Sequence, residues 1–401
     1  MTKEALMPGF EIFDDEERKE VNEVLETGIL FRYGFEPARK GRFKAVRFEE
    51  KLREITGAGF AHLCSSGTAA LSTALAACGV GAGDEVIVPP FTFVATFEAV
   101  LNAGAVPVFS EIDDTLCLDP GKLESVLTEK TKAVLPVHMC GSMARIDEIR
   151  DFCRTRGLVL IEDACQSVGG SFNGLPLGTF GEMGCFSFDF VKTVTCGEGG
   201  AVITNDKALY EKADQYTDHG HDHLGGNDRG ADDHPVMGLN YRTSELHAAV
   251  GVAQLEKLDR IISLQRENKM IIKEALAAYP EVSFRTIPDE SGDTATFLTF
   301  FLPDENKAAQ TAARLSDQQI PCPYWFRNNW HYFANWHHLK QMKRTARLPL
   351  ELLQQVPDYS KVRLEKSDAL MKRALSMQIM LSWTKEDIKE RIEKLHTVFK
   401  G

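Results

Sequence analysis

Leu158-Val159-Leu160-Ile161-Glu162-Asp163-Ala164-Cys165-Gln166 is the stretch on which the fold turns. Four apolar residues in succession read as a strand covered on both faces, and the acids that follow mark its end. In open α/β sheets ligands bind beyond the C-terminal ends of strands, so Asp163 stands where a ligand would be met. Taken alone, the same residue also reads as a turn or helix cap. Further strand-length runs, rich in β-branched and aromatic residues, lie at 85–88, 106–109, 133–137, 184–188 and 201–204. Segments 121–126 and 145–156 between them carry the apolar spacing of surface helices. From about 47 to 205 this alternation predicts a mainly parallel sheet covered by helices.

Farther along, 206–235 is polar, rich in Gly and His, and without either periodicity, so it is expected to be a long functional loop. Apolar positions recur with helical spacing from Ser244 to about Ala278, predicting one long helix or two joined ones. The remainder holds a β-like segment at 295–302, an aromatic stretch at 324–336 and a terminal amphipathic helix at 385–399. The expected division is an N-terminal segment (1–46), a large cofactor-binding domain (47–260) and a small C-terminal domain (261–401).

The composition excludes several classes of function. The 401 residues are 43% hydrophobic and 26% charged, which is ordinary for a globular protein and unlike a disordered chain. A net charge of −12 repels polyanions, so nucleic acid is not an expected partner. Nine cysteines, an odd number without a CxxC pair, lie mostly inside apolar runs and read as reduced thiols. Met1-Thr2-Lys3-Glu4-Ala5 leads into an acidic stretch rather than an export signal, and no run approaches the roughly 18 apolar residues of a membrane span. The expected location is cytoplasmic.

Chemistry is concentrated in three further places. Cys185-Phe186-Ser187-Phe188-Asp189-Phe190-Val191-Lys192 sets a lysine in a loop between two apolar strands, and desolvation there favours the neutral amine that attacks carbonyls. Ser65-Ser66-Gly67-Thr68 leads into an alanine-rich helix at 69–78 and offers free backbone N–H groups and a positive dipole end to a phosphate; an ordinary N-cap is the plainer reading. Gly79-Val80-Gly81-Ala82-Gly83 lacks the spacing of a dinucleotide fingerprint and reads as a turn. An amine, a phosphate-ready helix start and an acid after a strand together match what pyridoxal phosphate needs for its aldehyde, phosphate and ring nitrogen.

At these residues the chain resembles the DegT/DnrJ/EryC1/StrS sugar aminotransferases. The likeness is carried by Ser66-Gly67-Thr68-Ala69-Ala70-Leu71, Pro90-Phe91-Thr92-Phe93-Val94-Ala95-Thr96, Glu162-Asp163-Ala164-Cys165-Gln166-Ser167, Phe186-Ser187-Phe188 with Lys192, Gly197-Glu198-Gly199-Gly200 and Gly238-Leu239-Asn240-Tyr241-Arg242-Thr243-Ser244-Glu245. The resemblance implies an α/β, fold type I enzyme using pyridoxal 5′-phosphate, with a smaller C-terminal α+β domain. It assigns Lys192 to covalent attachment and proton transfer, Asp163 to the pyridinium nitrogen, Gln166 to the phenolic oxygen and Phe93 to the ring face. Ser66, Gly67, Thr68 and Ser187 would hold the phosphate, joined by Asn240 from the other subunit of a homodimer. Asp189-Phe190-Val191 departs from the family's usual approach to the lysine.

For the substrates, the Met7-Pro8-Gly9-Phe10-Glu11 start, Phe31-Arg32-Tyr33, the loop His219-Gly220-His221-Asp222-His223 and Asn328-Asn329-Trp330-His331-Tyr332 look like the branch that aminates the C8 aldehyde of an oxidised 3-deoxy-manno-octulosonate for lipopolysaccharide. L-glutamate is then the expected donor. Arg32, Arg242 and Arg327 are candidates to grip carboxylates because a planar guanidinium pairs them bidentately. His219, His221 and His331 are candidate substrate contacts, and the histidine loop reads as a polar rim rather than a metal site. Two other readings stand beside this one: amination of a nucleotide-linked keto sugar, and a non-catalytic cofactor-binding regulator.

Overall fold

The computed structural model describes residues 8–225, 229–354 and 356–400. Among them, seven strands form one sheet: β1 (Phe60–Cys64), β2 (Glu85–Val88), β3 (Val106–Phe109), β4 (Thr131–Val134), β5 (Val159–Asp163), β6 (Met183–Ser187) and β7 (Gly200–Thr204). Their order is β1-β7-β6-β5-β4-β2-β3, with β7 antiparallel to both neighbours and the other pairs parallel. The C-terminal ends of β1, β5 and β6 therefore open on one edge, where β7 begins.

The helices run from α1 (Asp15–Thr27) and α2 (Lys44–Thr56) through α3 (Gly67–Ala77), α4 (Ala95–Asn102), α5 (Ile146–Arg156) and α6 (Lys207–Thr217) to the joined pair α7 (Glu245–Glu256) and α8 (Leu258–Leu276). The joint predicted within 244–278 falls at Lys257. Beyond α8, β8 (Ser283–Phe284), β9 (Phe297–Phe301) and β10 (Ala374–Gln378) make a second, antiparallel sheet covered by α9 (Glu305–Asp317) and α10 (Lys385–Lys400).

Several sequence expectations shift. The helix expected at 121–126 is a 3-10 helix, Pro120–Val126, with Pro120 at its start and the Asp119 side chain accepting the Gly121 N–H in a tight cap. The loop expected from 206 begins later, because Asp206 caps α6 by accepting the Ala208 N–H at 2.7 Å. Strand β4 starts two residues earlier than read and ends at Val134.

Two apolar cores result. The larger lies on both faces of the main sheet and takes in Trp325, Tyr332, Phe333 and Trp336 from the aromatic stretch. The second gathers Leu298, Phe300, Leu375, Met377, Ile388 and Leu395 around the small sheet. Helix α8 belongs to both, with Ile261 and Ile262 in the first and Ile272 and Leu276 in the second. All nine cysteines are free thiols, and among the described residues no helix is long and apolar enough to cross a membrane.

Candidate active site

A cavity of about 450 Å³ opens on the sheet edge where β1, β5 and β6 end. Its walls bring together Ser66, Gly67, Thr68, Phe93, Asp163, Gln166, Ser187, Lys192 and His331, residues drawn from segments more than 250 positions apart.

Asp163 is the last residue of β5 and is 4% exposed. One carboxylate oxygen accepts the Thr96 hydroxyl at 2.9 Å and the other the Cys165 N–H at 3.1 Å. Thr92 lies 2.6 Å from Thr96 and extends this chain of hydroxyls. No cation pairs with Asp163 among the described residues, so a buried carboxylate is left facing the cavity without a counter-charge, a costly arrangement unless a ligand supplies one. The preceding Glu162 differs: it is fully buried and accepts N–H groups of Gly178, Phe180 and Gly181 at 2.6–2.9 Å, plus His138 Nε2 at 3.0 Å. It holds the 178–181 turn and does not line the cavity.

Lys192 sits half-buried in the loop between β6 and β7. Asp189 shapes this loop by accepting the Val191 N–H on its carboxylate at 3.1 Å and the Lys192 N–H on its carbonyl at 3.0 Å. That Asx turn is what the unusual Asp189-Phe190-Val191 stretch builds.

Gly67 opens α3, and the first N–H groups of the helix have no carbonyl one turn back to receive them. A Cβ on Gly67 would lie 2.7 Å from Ser187 Cβ, and one on Gly200 would lie 2.2 Å from the Ser66 carbonyl. Only glycine lets β6, β7 and the start of α3 converge here, leaving a cradle of N–H donors with the Ser66 and Ser187 hydroxyls beside it.

Phe93 lies half-buried, 5.6 Å from the Trp330 ring and 5.5 Å from that of His331. The two segments are stitched by the Thr92 and Val94 N–H groups, which donate to the His331 and Trp330 carbonyls at 3.0 Å each. Burial, with the Lys192 charge adding to it, pushes His331 down to about 4. Gln166 accepts the Cys140 N–H at 3.0 Å, which anchors its amide.

Other candidates fall outside the cavity of this chain. Arg32 is buried and donates to Glu49 at 2.8 Å and to the Leu63 carbonyl at 3.4 Å, so its guanidinium already has a carboxylate. Arg242 and Arg229 share the fully buried carboxylate of Asp218, Arg229 at 2.9 Å. Of the three candidate arginines, Arg327 alone makes no ion pair among the described residues; it is exposed and lies over Tyr324 at 5.3 Å. His219 is exposed with φ of 55°, and His221 lies 3.2 Å from Asp232. Asn240 is exposed and bridges backbone to Asp218. Among the described residues, no group of three or more His, Cys, Asp or Glu is placed to hold a metal ion.

A family model described as the DegT/DnrJ/EryC1/StrS aminotransferase family matches residues 11–396. The chain belongs to that family. The aminotransferase is 37% identical to a GDP-perosamine synthase from Vibrio cholerae over 268 residues, 67% of this chain and 70% of that one. It is 42% identical to an L-glutamine:2-deoxy-scyllo-inosose aminotransferase from Streptomyces kanamyceticus over 255 residues, 60% of this chain and 58% of that one. Among solved structures it is similar to NtdA from Bacillus subtilis with bound cofactor PMP, at 25% identity and a TM-score of 0.79, covering 97% of this chain and 83% of that one. The family, fold type I and pyridoxal phosphate dependence implied by the sequence motifs hold.

The residues of this aminotransferase fit its cofactor. The unpaired carboxylate of Asp163 suits a protonated ring nitrogen, the glycine-walled start of α3 suits a phosphate, and the Lys192 amine suits an aldehyde. Thr92 and Thr96 escaped the sequence reading as supports of Asp163, although both lie in the quoted 90–96 motif. Their signal is two hydroxyls at i and i+4 after a buried strand, which becomes meaningful only once β5 lies alongside.

Proposed function

We propose that the aminotransferase moves the amino group of L-glutamate onto the C8 aldehyde of an oxidised 3-deoxy-manno-octulosonate, giving the 8-amino sugar acid used in lipopolysaccharide. The observation that carries transamination is the meeting of the Lys192 amine, the unpaired Asp163 carboxylate and the start of α3 in one cavity. Bound pyridoxal phosphate supplies an electron sink that stabilises negative charge on the carbon losing its proton. In this reading Asp163 keeps the ring nitrogen charged, with Thr96 and Cys165 holding the carboxylate in place. Lys192 carries the proton between substrate carbon and cofactor once its amine is released, Phe93 covers one ring face, and Gln166 steadies the ring's oxygen.

Support for an acidic acceptor comes from the cavity's outer segment. Arg327, free of an acid partner among the described residues, belongs to the same short stretch as the cavity-lining Trp330 and His331. Arg32 and Arg242 hold loop structure through Glu49 and Asp218 instead. A nucleotide-linked keto sugar is the second reading, favoured by the likeness to the GDP-perosamine synthase. The enzyme is read as a cytoplasmic homodimer: Leu224 and Met237, 84% and 94% exposed, stand bare on the segment that carries Asn240. Asn240 would then reach the phosphate held by the other subunit.

The test is a two-stage absorbance experiment on the reconstituted enzyme. Excess L-glutamate should bleach the cofactor's visible band. The oxidised octulosonate should then restore it faster than GDP-4-keto-6-deoxymannose does. Restoration by the nucleotide sugar alone overturns the eight-carbon acceptor, and a band unmoved by L-glutamate overturns the donor.

A further inference from the structure

Asn328 fixes the chemistry of its neighbour His331. Its Oδ1 accepts the Trp330 N–H at 2.8 Å, and an atom that receives a backbone donor has to be the amide oxygen. The same oxygen lies 3.1 Å from His331 Nδ1. Since an amide oxygen cannot donate, Nδ1 carries the ring hydrogen and Nε2 is left with a bare lone pair. Two aromatic neighbours hold the ring in place, Trp325 with its centroid at 4.7 Å and Phe93 at 5.5 Å. Among the described residues Nε2 has no hydrogen-bond partner, yet it is not one of the sealed polar atoms. His331 lines the cavity that holds Lys192, and burial keeps the imidazole neutral at physiological pH.

A neutral acceptor atom discriminates between the two substrates of a transaminase. With its α-amino group committed to the reacting centre, an amino-acid donor has only carboxylates left to meet this nitrogen, and they offer it no hydrogen, whereas every hydroxyl of a sugar does. We propose that His331 Nε2 accepts a hydrogen bond from a hydroxyl of the sugar acceptor, and that Asn328 is the positioning residue that sets the required tautomer. The site thereby selects hydroxylated acceptors over their deoxy analogues, because the analogue leaves the nitrogen desolvated and unpaired. This deepens the reading of the chain as a sugar aminotransferase and rests on it.

The experiment uses the holoenzyme labelled with ¹⁵N-histidine, the His331 resonances being assigned by their loss in His331→Gln. At pH 7.5 Nδ1 should resonate as protonated and Nε2 as unprotonated, and Asn328→Ala should abolish that preference. The opposite tautomer, or one unchanged in Asn328→Ala, overturns the role of Asn328. Titration with 3-deoxy-manno-octulosonate, and separately with GDP-mannose, should move the Nε2 resonance for one of the two. If only GDP-mannose moves it, the hydroxyl contact stands and the eight-carbon acceptor falls; if neither does, the contact is overturned. Kinetically, His331→Leu should lower kcat/KM for the sugar acceptor by about 100-fold or more while the single-turnover rate with L-glutamate stays within about threefold. His331→Gln, which keeps an acceptor oxygen, should recover part of the loss. Equal losses in both half-reactions would mean a structural role only.

Discussion

Glu162 and Asp163 are adjacent carboxylates with opposite duties, and their partners decide which is which. Four donors saturate Glu162, while Asp163 turns its side chain to a cavity. Lys192→Ala should abolish turnover, and Asp163→Asn should lower kcat by at least about 100-fold through loss of a charged ring nitrogen, both read by steady-state assay with unchanged circular dichroism. Arg32 gives the contrary case: with its guanidinium removed, Glu49 is a largely desolvated acid with no cation, and its carboxyl already sits above the usual range because of that desolvation. Arg32→Ala should cost about 3–5 kcal/mol in urea unfolding, without the selective loss of substrate affinity that a carboxylate grip would show. His331 ties stability to pH. Its folded pKa of about 4 lies below the unfolded value, so the unfolded chain binds the extra proton between them. Stability from this group is complete above about pH 6.5 and declines as pH falls towards 4, by on the order of 3 kcal/mol, a slope that His331→Gln should flatten in denaturant midpoints measured across that range.

The Lys192 loop shows how one element borrows its shape from others. Its turn is local, set by Asp189, but its floor is remote: a Cβ on Gly9 would lie 3.0 Å from both the Thr193 carbonyl and the Thr195 N–H. Phe10 packs edge-on to Phe190 at 5.2 Å, and Glu11 accepts the Ser382 N–H at 2.6 Å, so the N-terminal turn ties the loop to the small sheet's side of the molecule. Gly9→Val should push the loop outward, costing about 1–3 kcal/mol in thermal unfolding and slowing bleaching by L-glutamate more than it weakens cofactor retention. Helix α6 carries the complementary lesson. The polar run after Asp206 looks aperiodic, yet an Asp cap and burial of Ala213 and Thr217 are enough to make it a helix.

Across the whole molecule, α8 links the two cores, so the small sheet and the main sheet pack against one continuous helix. The aromatic stretch from Trp325 to Trp336 packs into the larger core and delivers Trp330 and His331 to the cavity from there. Bare apolar side chains at Leu224, Met237 and Leu239 lie on the segment around Asn240, where a second subunit would cover them. Met237→Asp should shift the enzyme towards monomer in analytical ultracentrifugation and lower activity in proportion, because the phosphate contact assigned to Asn240 would be lost with the partner.

Alternation of apolar runs and amphipathic stretches determined the sheet by itself, since strands buried on both faces must be apolar throughout and their helices need one apolar stripe. The proposed pair, Asp163 and Lys192, stood out only jointly with the 66–68 helix start, because an acid after a strand is often a cap and a loop lysine often a surface charge. Tertiary structure decided which polar side chains remain free for ligands. Arginines 32, 242 and 327 look alike in one dimension; two of them meet carboxylates contributed by residues 17 and 24 positions away, and among the described residues the third does not. Thr96 acquires its task only when α4 comes alongside β5, and the tautomer of His331 depends on an amide three residues earlier being held by the Trp330 backbone. Pairing in space, which spacing along the chain does not encode, separates a structural charge from one available to substrate.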